Sequence, residues 1–152
     1  MAGFKGKYDY SIDNKGRVNL PAKLRKNLSA SANDSFVITR GHEICLYLYP
    51  MDVWATVESD FKARLNVHNA EDRLLLRTIS MWASEVTLDG QARIMIPQEL
   101  LKFASISNSV VLIGALERIE IWSPDVFNRY LESFAERSFE SVAAQVLGGK
   151  PL

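Results

Sequence analysis

The chain has 152 residues, 47% of them hydrophobic and 24% charged, with one cysteine, two histidines and a formal net charge of zero. That length and apolar content allow one compact domain, or two half-domains sharing a core, and exclude wholesale disorder. A lone thiol cannot close an internal disulfide, two histidines fall short of a structural zinc site, and neither a spanning apolar run nor a basic-then-apolar leader is present, so a cytosolic protein without metal or cofactor is expected.

The first strand is predicted over Tyr8 to Ile12, leading into Asp13-Asn14-Lys15-Gly16-Arg17. Asn-Lys-Gly fits a hairpin loop made of a type I turn closed by a left-handed residue, a position glycine occupies without steric cost. Alternating Val18 and Leu20 predict a second strand, which Pro21 ends. Proline suits the first turn of a short helix, where its missing N–H has no intrahelical partner, and Leu24 with Leu28 supply the buried side. FVITR (36–40) and CLYLY (45–49) predict a strand pair. Val53, Val57, Phe61 and Leu65 stand four apart and predict an amphipathic helix. Leu75, Ile79 and Trp82 predict another over Glu71 to Trp82, with the hairpin turning near His68-Asn69.

The pattern then returns. A strand over Ala83 to Leu88 enters Asp89-Gly90-Gln91-Ala92-Arg93, Ile94 and Ile96 alternate, and Pro97 opens a short helix with Leu100 and Ala104 inward. VVLIG (110–114) and RIEIW (118–122) form the last predicted pair. Ser123-Pro124 reads as an N-cap followed by a first helical proline, starting a third helix through Tyr130, Phe134 and beyond, and the Gly148 to Pro151 end is expected to be mobile.

This return is an internal duplication. DNKGRVNLPAKL, from Asp13, aligns with DGQARIMIPQEL, from Asp89, and the match resumes with Gly41 on Gly114, Leu46 on Ile119, Leu48 on Ile121 and Asp52-Val53-Trp54 on Asp125-Val126-Phe127. Each copy is a unit of about 45 residues, read as strand, strand, short helix, strand, strand. Such a unit cannot hide its apolar face alone. The expected fold is α+β, with an interleaved β core of pseudo-two-fold symmetry flanked by helices. The expected boundaries are 7–54 and 83–126 for the two units, 55–82 for a helical linker and 127–152 for a C-terminal helix and tail.

Charge is distributed unevenly despite its zero sum. Residues 1–28 hold seven cations against two acids, a balance of +5, which leaves 11 cations and 16 acids, or −5, for the rest. A basic face on an acidic body permits local anion binding. The Asp-to-Arg loop has two uses open to it. Asp13 can hold the turn by accepting backbone N–H bonds and pairing with Arg17, while Lys15 and Arg17, beside Lys23, Arg25 and Lys26, present donors suited to phosphates or a guanine edge. Both uses are compatible if the carboxylate aims the guanidinium. An enzyme reading is poorly supported, because His42 and Cys45 face opposite sides of a regular strand with no third orienting group. A scaffold whose basic loops bind an acidic protein remains a competing reading.

The doubled D-x-x-x-R motif, Asp13 to Arg17 and Asp89 to Arg93, each followed by an apolar pair and proline, resembles the MraZ proteins of bacteria over about Tyr8 to Phe127. The resemblance implies two AbrB-like swapped-hairpin half-domains and subunits assembled into a ring. It implies sequence-specific binding of double-stranded DNA at short direct repeats upstream of the division and cell wall gene cluster, and regulation of transcription, usually repression, in the nucleoid-associated cytoplasm. Carried over by position, Arg17 and Arg93 match the DNA-contacting arginines, with Asp13 and Asp89 as partners and Lys15 on the first loop tip. Gly16 keeps the glycine that commonly precedes the arginine, whereas the second copy has Ala92 there, and Leu101 where the first copy has Arg25. The first loop is therefore expected to be the principal reader.

Overall fold

The computed structural model describes residues 3–148, so the expectation of a mobile end at Gly149 to Pro151 lies outside the described residues. In chain order the elements are β1 (Lys7–Ser11), β2 (Arg17–Asn19), α1 (Ala22–Arg25), a 3-10 turn (Ala30–Ala32), β3 (Ser35–Arg40), β4 (Leu46–Pro50), α2 (Met51–Arg64) and α3 (Ala70–Trp82). The second half continues with β5 (Ser84–Thr87), β6 (Arg93–Met95), α4 (Gln98–Phe103), β7 (Ser109–Ala115), β8 (Arg118–Trp122), α5 (Pro124–Glu132) and α6 (Phe139–Leu147).

Strands are exchanged between the copies. Among the described residues, six form an antiparallel sheet in the order β1-β7-β8-β4-β3-β5, while β2 and β6 pair as a separate ribbon. Thus β1 of the first copy lies on β7 of the second, and β5 of the second lies on β3 of the first. Replacing each strand by its counterpart in the other copy reverses this order onto itself, which places a pseudo-two-fold axis between β4 and β8. The register agrees: Leu46 pairs with Ile121 and Leu48 with Ile119, each opposite the counterpart of the other. In the ribbon, Val18 pairs with its own counterpart Ile94. The molecule is a duplicated, AbrB-like α+β fold whose core neither copy builds alone.

Alternation in the strands explains the core. Val18 and Ile94 point inward from the ribbon, joined by Leu20 and Ile96, and pack with Phe36, Ile38, Leu46, Leu48, Leu112, Ile119 and Ile121 of the sheet. Leu24 and Leu100 of the two short helices close this layer. Complete burial of such aliphatic side chains contributes about 1.5–3 kcal/mol each. On the opposite sheet face, Cys45, Tyr47, Val111 and Trp122 pack beneath Val126 of α5. The outer strands carry charges, Lys7 and Asp9 on β1 and Glu85 on β5, which discourages edge pairing.

Several expectations need correction. Pro21 and Pro97 stand one residue earlier than expected, at the N-cap of α1 and α4 with φ near −58° and −57°, where a fixed φ and extended ψ lead the strand into the helix. The CLYLY strand starts at Leu46. Cys45 lies in a bend from His42, so strand alternation does not relate the two residues; the His42 ring Nδ1 instead lies 3.0 Å from the Tyr47 hydroxyl. The C-terminal helix is divided. α5 ends at Glu132, and Ser138 starts α6 by accepting the Ser141 amide at 3.0 Å, which gives the backbone a fresh N-cap.

Candidate nucleic-acid interface

Both Asp-to-Arg loops are built by the same set of bonds. In the first, Asp13 Oδ1 accepts the backbone N–H of Arg17 at 2.8 Å and that of Lys15 at 3.0 Å. Its Oδ2 accepts Arg17 Nε at 2.7 Å. In the second, Asp89 Oδ1 accepts the amides of Gln91 and Arg93 at 2.8 and 3.0 Å, and Oδ2 accepts Arg93 Nε at 2.9 Å. The amide of Gly16 donates to Asp13 and that of Ala92 to Asp89, both at 3.0 Å, which closes each turn. Ala92 takes the left-handed conformation at φ +58°, as Gly16 does at +83°, so the alanine changes the residue and keeps the turn.

These bonds set the charge state of the loops. The Arg17 amide, followed by its guanidinium, holds the Asp13 carboxyl below its ordinary value against the opposing effect of desolvation. Asp89 is lowered in the same way, first by the Arg93 amide. Both carboxylates are ionised at neutral pH and direct the arginines. Only Nε is used in each clamp: among the described residues, no protein group accepts from the terminal Nη atoms of Arg17 or Arg93. Each arginine therefore retains its outer fork for an acceptor pair outside the protein.

The ribbon brings the two loops together. Each loop also borrows the other's strand, since Ile96 donates to the Gly16 carbonyl at 2.8 Å and Leu20 to the Ala92 carbonyl at 2.9 Å. Arg17 lies opposite Met95 and Asn19 opposite Arg93, so the two arginines occupy diagonal corners of the face away from Val18 and Ile94. Diagonal neighbours of this kind are separated by about 7–8 Å. Asn19 Nδ2 donates to the Gln91 carbonyl at 3.0 Å and ties the first strand to the second loop tip. A two-stranded ribbon of this width fits the major groove of duplex DNA.

The model for "MraZ protein, putative antitoxin-like" matches residues 4–78 and again 79–149. This chain belongs to the MraZ family. A "Transcriptional regulator MraZ" of Natranaerobius thermophilus is 39% identical over 144 residues, covering 95% of this chain and 96% of the relative. A "Transcriptional regulator MraZ" of Clostridium tetani is 36% identical over 143 residues, with 94% and 96% covered.

The structure distributes the expected cations over the MraZ repeats unequally. Lys15 is exposed at the first tip, whereas Arg17 begins β2 behind it and is half-buried. Lys23, Arg25 and Lys26 are exposed on or just after α1, but Arg25 Nε already donates to the Leu20 carbonyl at 3.0 Å. The equivalent of Arg25, Leu101, is buried against Gly16. Asn19 and Met95 were absent from the expected site. Their signal was the strand alternation itself, which puts them on the same face as Arg17 and Arg93.

Elsewhere, the His42 region offers little nucleophilic chemistry. Burial pushes the Cys45 thiol up to about 12, helped by the Glu120 and Glu43 charges. Among the described residues, no group of three or more His, Cys, Asp or Glu side chains could hold a metal ion, and no helix is long and apolar enough to cross a membrane.

Proposed function

We propose that this protein is a DNA-binding transcriptional regulator without enzymatic activity, acting in the cytoplasm at the nucleoid as a repressor of a division and cell wall gene cluster. The observation that carries the proposal is the pair of Asp-aimed arginines at opposite corners of the β2–β6 ribbon, supported by relatives named as transcriptional regulators. Arg17 leads in binding, Lys15 supports it, and Arg93 extends the contact on the other side of the pseudo-dyad. Lys23, Arg25 and Lys26 add phosphate affinity, while Asp13, Gly16 and Asp89 orient the loops.

Function and assembly are linked in this reading. A single ribbon has few contacts, and phosphate contacts alone add salt-dependent affinity without much sequence discrimination. Several ribbons on one ring engage successive direct repeats, each further contact becoming effectively intramolecular. Direct repeats call for head-to-tail subunit contacts. Exposed apolar residues on α3 and α6, including Leu74, Met81 and Phe139, supply two different surfaces for such contacts.

The test is a gel-shift series on the gene's own upstream region and a scrambled duplex, at several salt concentrations. Wild type should prefer the upstream region and weaken steeply with salt. Arg17→Ala should keep its fold and assembly yet lose the preference. Equal discrimination by both proteins would remove Arg17 from its role, and wild-type indifference to sequence would favour a scaffold that binds an acidic partner.

A further inference from the structure

The ribbon's backbone is nearly symmetric, but its outward side chains are not. The pseudo-dyad relates Arg17 to Arg93 and Asn19 to Met95, since Val18 faces Ile94 directly. One diagonal of the outer face thus repeats the same residue, while the other places a carboxamide against a thioether. Both members of that second diagonal are exposed, and Met95 is 57% exposed despite its apolar side chain. An exposed methionine on a short strand contributes little to the core, so its outward side chain is free to touch whatever the ribbon face meets.

Resting on the DNA-binding reading above, we propose that Asn19 and Met95 give each ribbon its polarity on DNA: Asn19 reads an adenine edge and Met95 contacts a thymine methyl. The chemistry follows from the groups each presents. An asparagine amide matches adenine through one acceptor and one donor, and an apolar side chain matches the thymine methyl. Asn19 is also oriented in advance. One N–H of its Nδ2 is held by the Gln91 carbonyl at 3.0 Å, which fixes the amide plane and leaves the second N–H and Oδ1 available. Met95 has no polar group to donate or accept strongly, so it distinguishes bases by shape and methyl contact.

This asymmetry links the reader to the arrangement of its sites. A dyad ribbon with identical side chains on both halves reads a palindrome, which has no direction. With Asn19 on one side and Met95 on the other, each subunit has a preferred orientation on the duplex. Ribbons repeated head-to-tail around an assembly then select sites that repeat in one direction. Arg17 and Arg93 supply the guanine contacts common to both halves, and the second diagonal supplies the direction.

The experiment selects bound duplexes from a library carrying a short randomised window, using the full-length wild type, Asn19→Ala, Met95→Asn and Arg17→Ala, with circular dichroism confirming each fold. Wild type should enrich an asymmetric motif. Asn19→Ala should lose preference at one adenine by about 5- to 100-fold while retaining the guanine positions and the salt dependence. Met95→Asn should gain adenine preference at the dyad-related position, making its motif more nearly palindromic. Unchanged motifs in both variants would overturn the proposal. So would uniform weakening by Asn19→Ala at every position, which would reduce Asn19 to a tie between loops. If wild type enriches no motif and Arg17→Ala changes nothing, the DNA-binding reading fails as well; enrichment lost in Arg17→Ala but unaltered by the other two variants rejects the polarity proposal alone.

Discussion

Gly16 and Ala92 hold the same left-handed position in the two loops, at φ +83° and +58°. Their surroundings make the two residues unequal. A Cβ on Gly16 would come within 2.8 Å of the Ile96 carbonyl oxygen and 3.2 Å of Leu101 Cδ1. Ala92 already carries its Cβ in a conformation that disfavours L-residues by about 1–2 kcal/mol.

Opposite stability effects are therefore expected from exchanging the residues. Ala92→Gly should stabilise by about 0.5–1 kcal/mol, because relief of the left-handed strain exceeds the added flexibility of the unfolded chain. Gly16→Ala should destabilise by about 1–3 kcal/mol, since it adds strain and meets backbone that cannot swing away. Urea unfolding of the two variants beside wild type measures both. A stabilised Gly16→Ala would contradict the close approach of Ile96.

Acid should release the clamps by a defined route. Asp13 and Asp89 are both lowered from 3.8 in the folded protein, chiefly by backbone N–H donation from Arg17 and Arg93. A lowered folded value means the carboxylates favour the folded state above the unfolded value and lose that contribution as pH falls through the folded value. Wild type should consequently lose more thermal stability than an Asp13→Asn/Asp89→Asn variant on acidification below about pH 4. Parallel loss in the two proteins would show that the clamps do not couple folding to protons. At neutral pH the variant should also bind DNA more weakly, since a neutral amide aims the arginine less firmly.

Much of this arrangement was legible in the sequence because duplication repeats a physical pattern. Asp, Arg and Pro recur at fixed spacing, and the intervening Val18-Leu20 and Ile94-Ile96 alternate as a ribbon with one buried side must. Which strand crosses to which copy was less accessible. β1 reaches β7 across most of the chain, and apolar patterning states that a face is buried without naming its partner. The break near Ser138 was hidden because Tyr130 and Phe134 continue one apolar face, while Ser138 offers a competing N-cap. Asn19 and Met95 were overlooked for another reason. Charge marks the arginines, whereas only the period-2 alternation of the strands places these two neutral residues beside them.

Exchange of strands predicts that damage in one copy is felt by both. Ile94 is 1% exposed and sits opposite Val18, at the centre of the ribbon that joins the repeats. Ile94→Ala should cost about 2–5 kcal/mol, from lost burial and the cavity left behind. Thermal unfolding followed by tryptophan fluorescence and by circular dichroism should show one lowered transition with both probes. Two separated transitions would mean that each copy holds together without the shared layer.

The proposed ring makes a demand on α3. None of this helix's side chains is fully buried, and Leu74 and Met81 are 63% and 70% exposed at positions seven residues apart, one above the other on a helical face. Asn69 caps the helix by accepting the amides of Glu71 and Asp72, at 2.9 and 3.1 Å, so the helix has local support independent of that face. A Leu74→Glu/Met81→Glu variant should keep its helical circular dichroism while its solution mass falls toward the single-chain 17.1 kDa. Its affinity for a duplex with several repeats should fall by about 10²- to 10⁴-fold, toward that for a single repeat, because linked binding is lost. An unchanged mass would transfer the subunit contact away from this face, toward surfaces such as Phe139 and Val146 of α6, which are also exposed. Reduced mass with undiminished multi-repeat affinity would instead separate assembly from DNA binding, because a lone ribbon would then suffice.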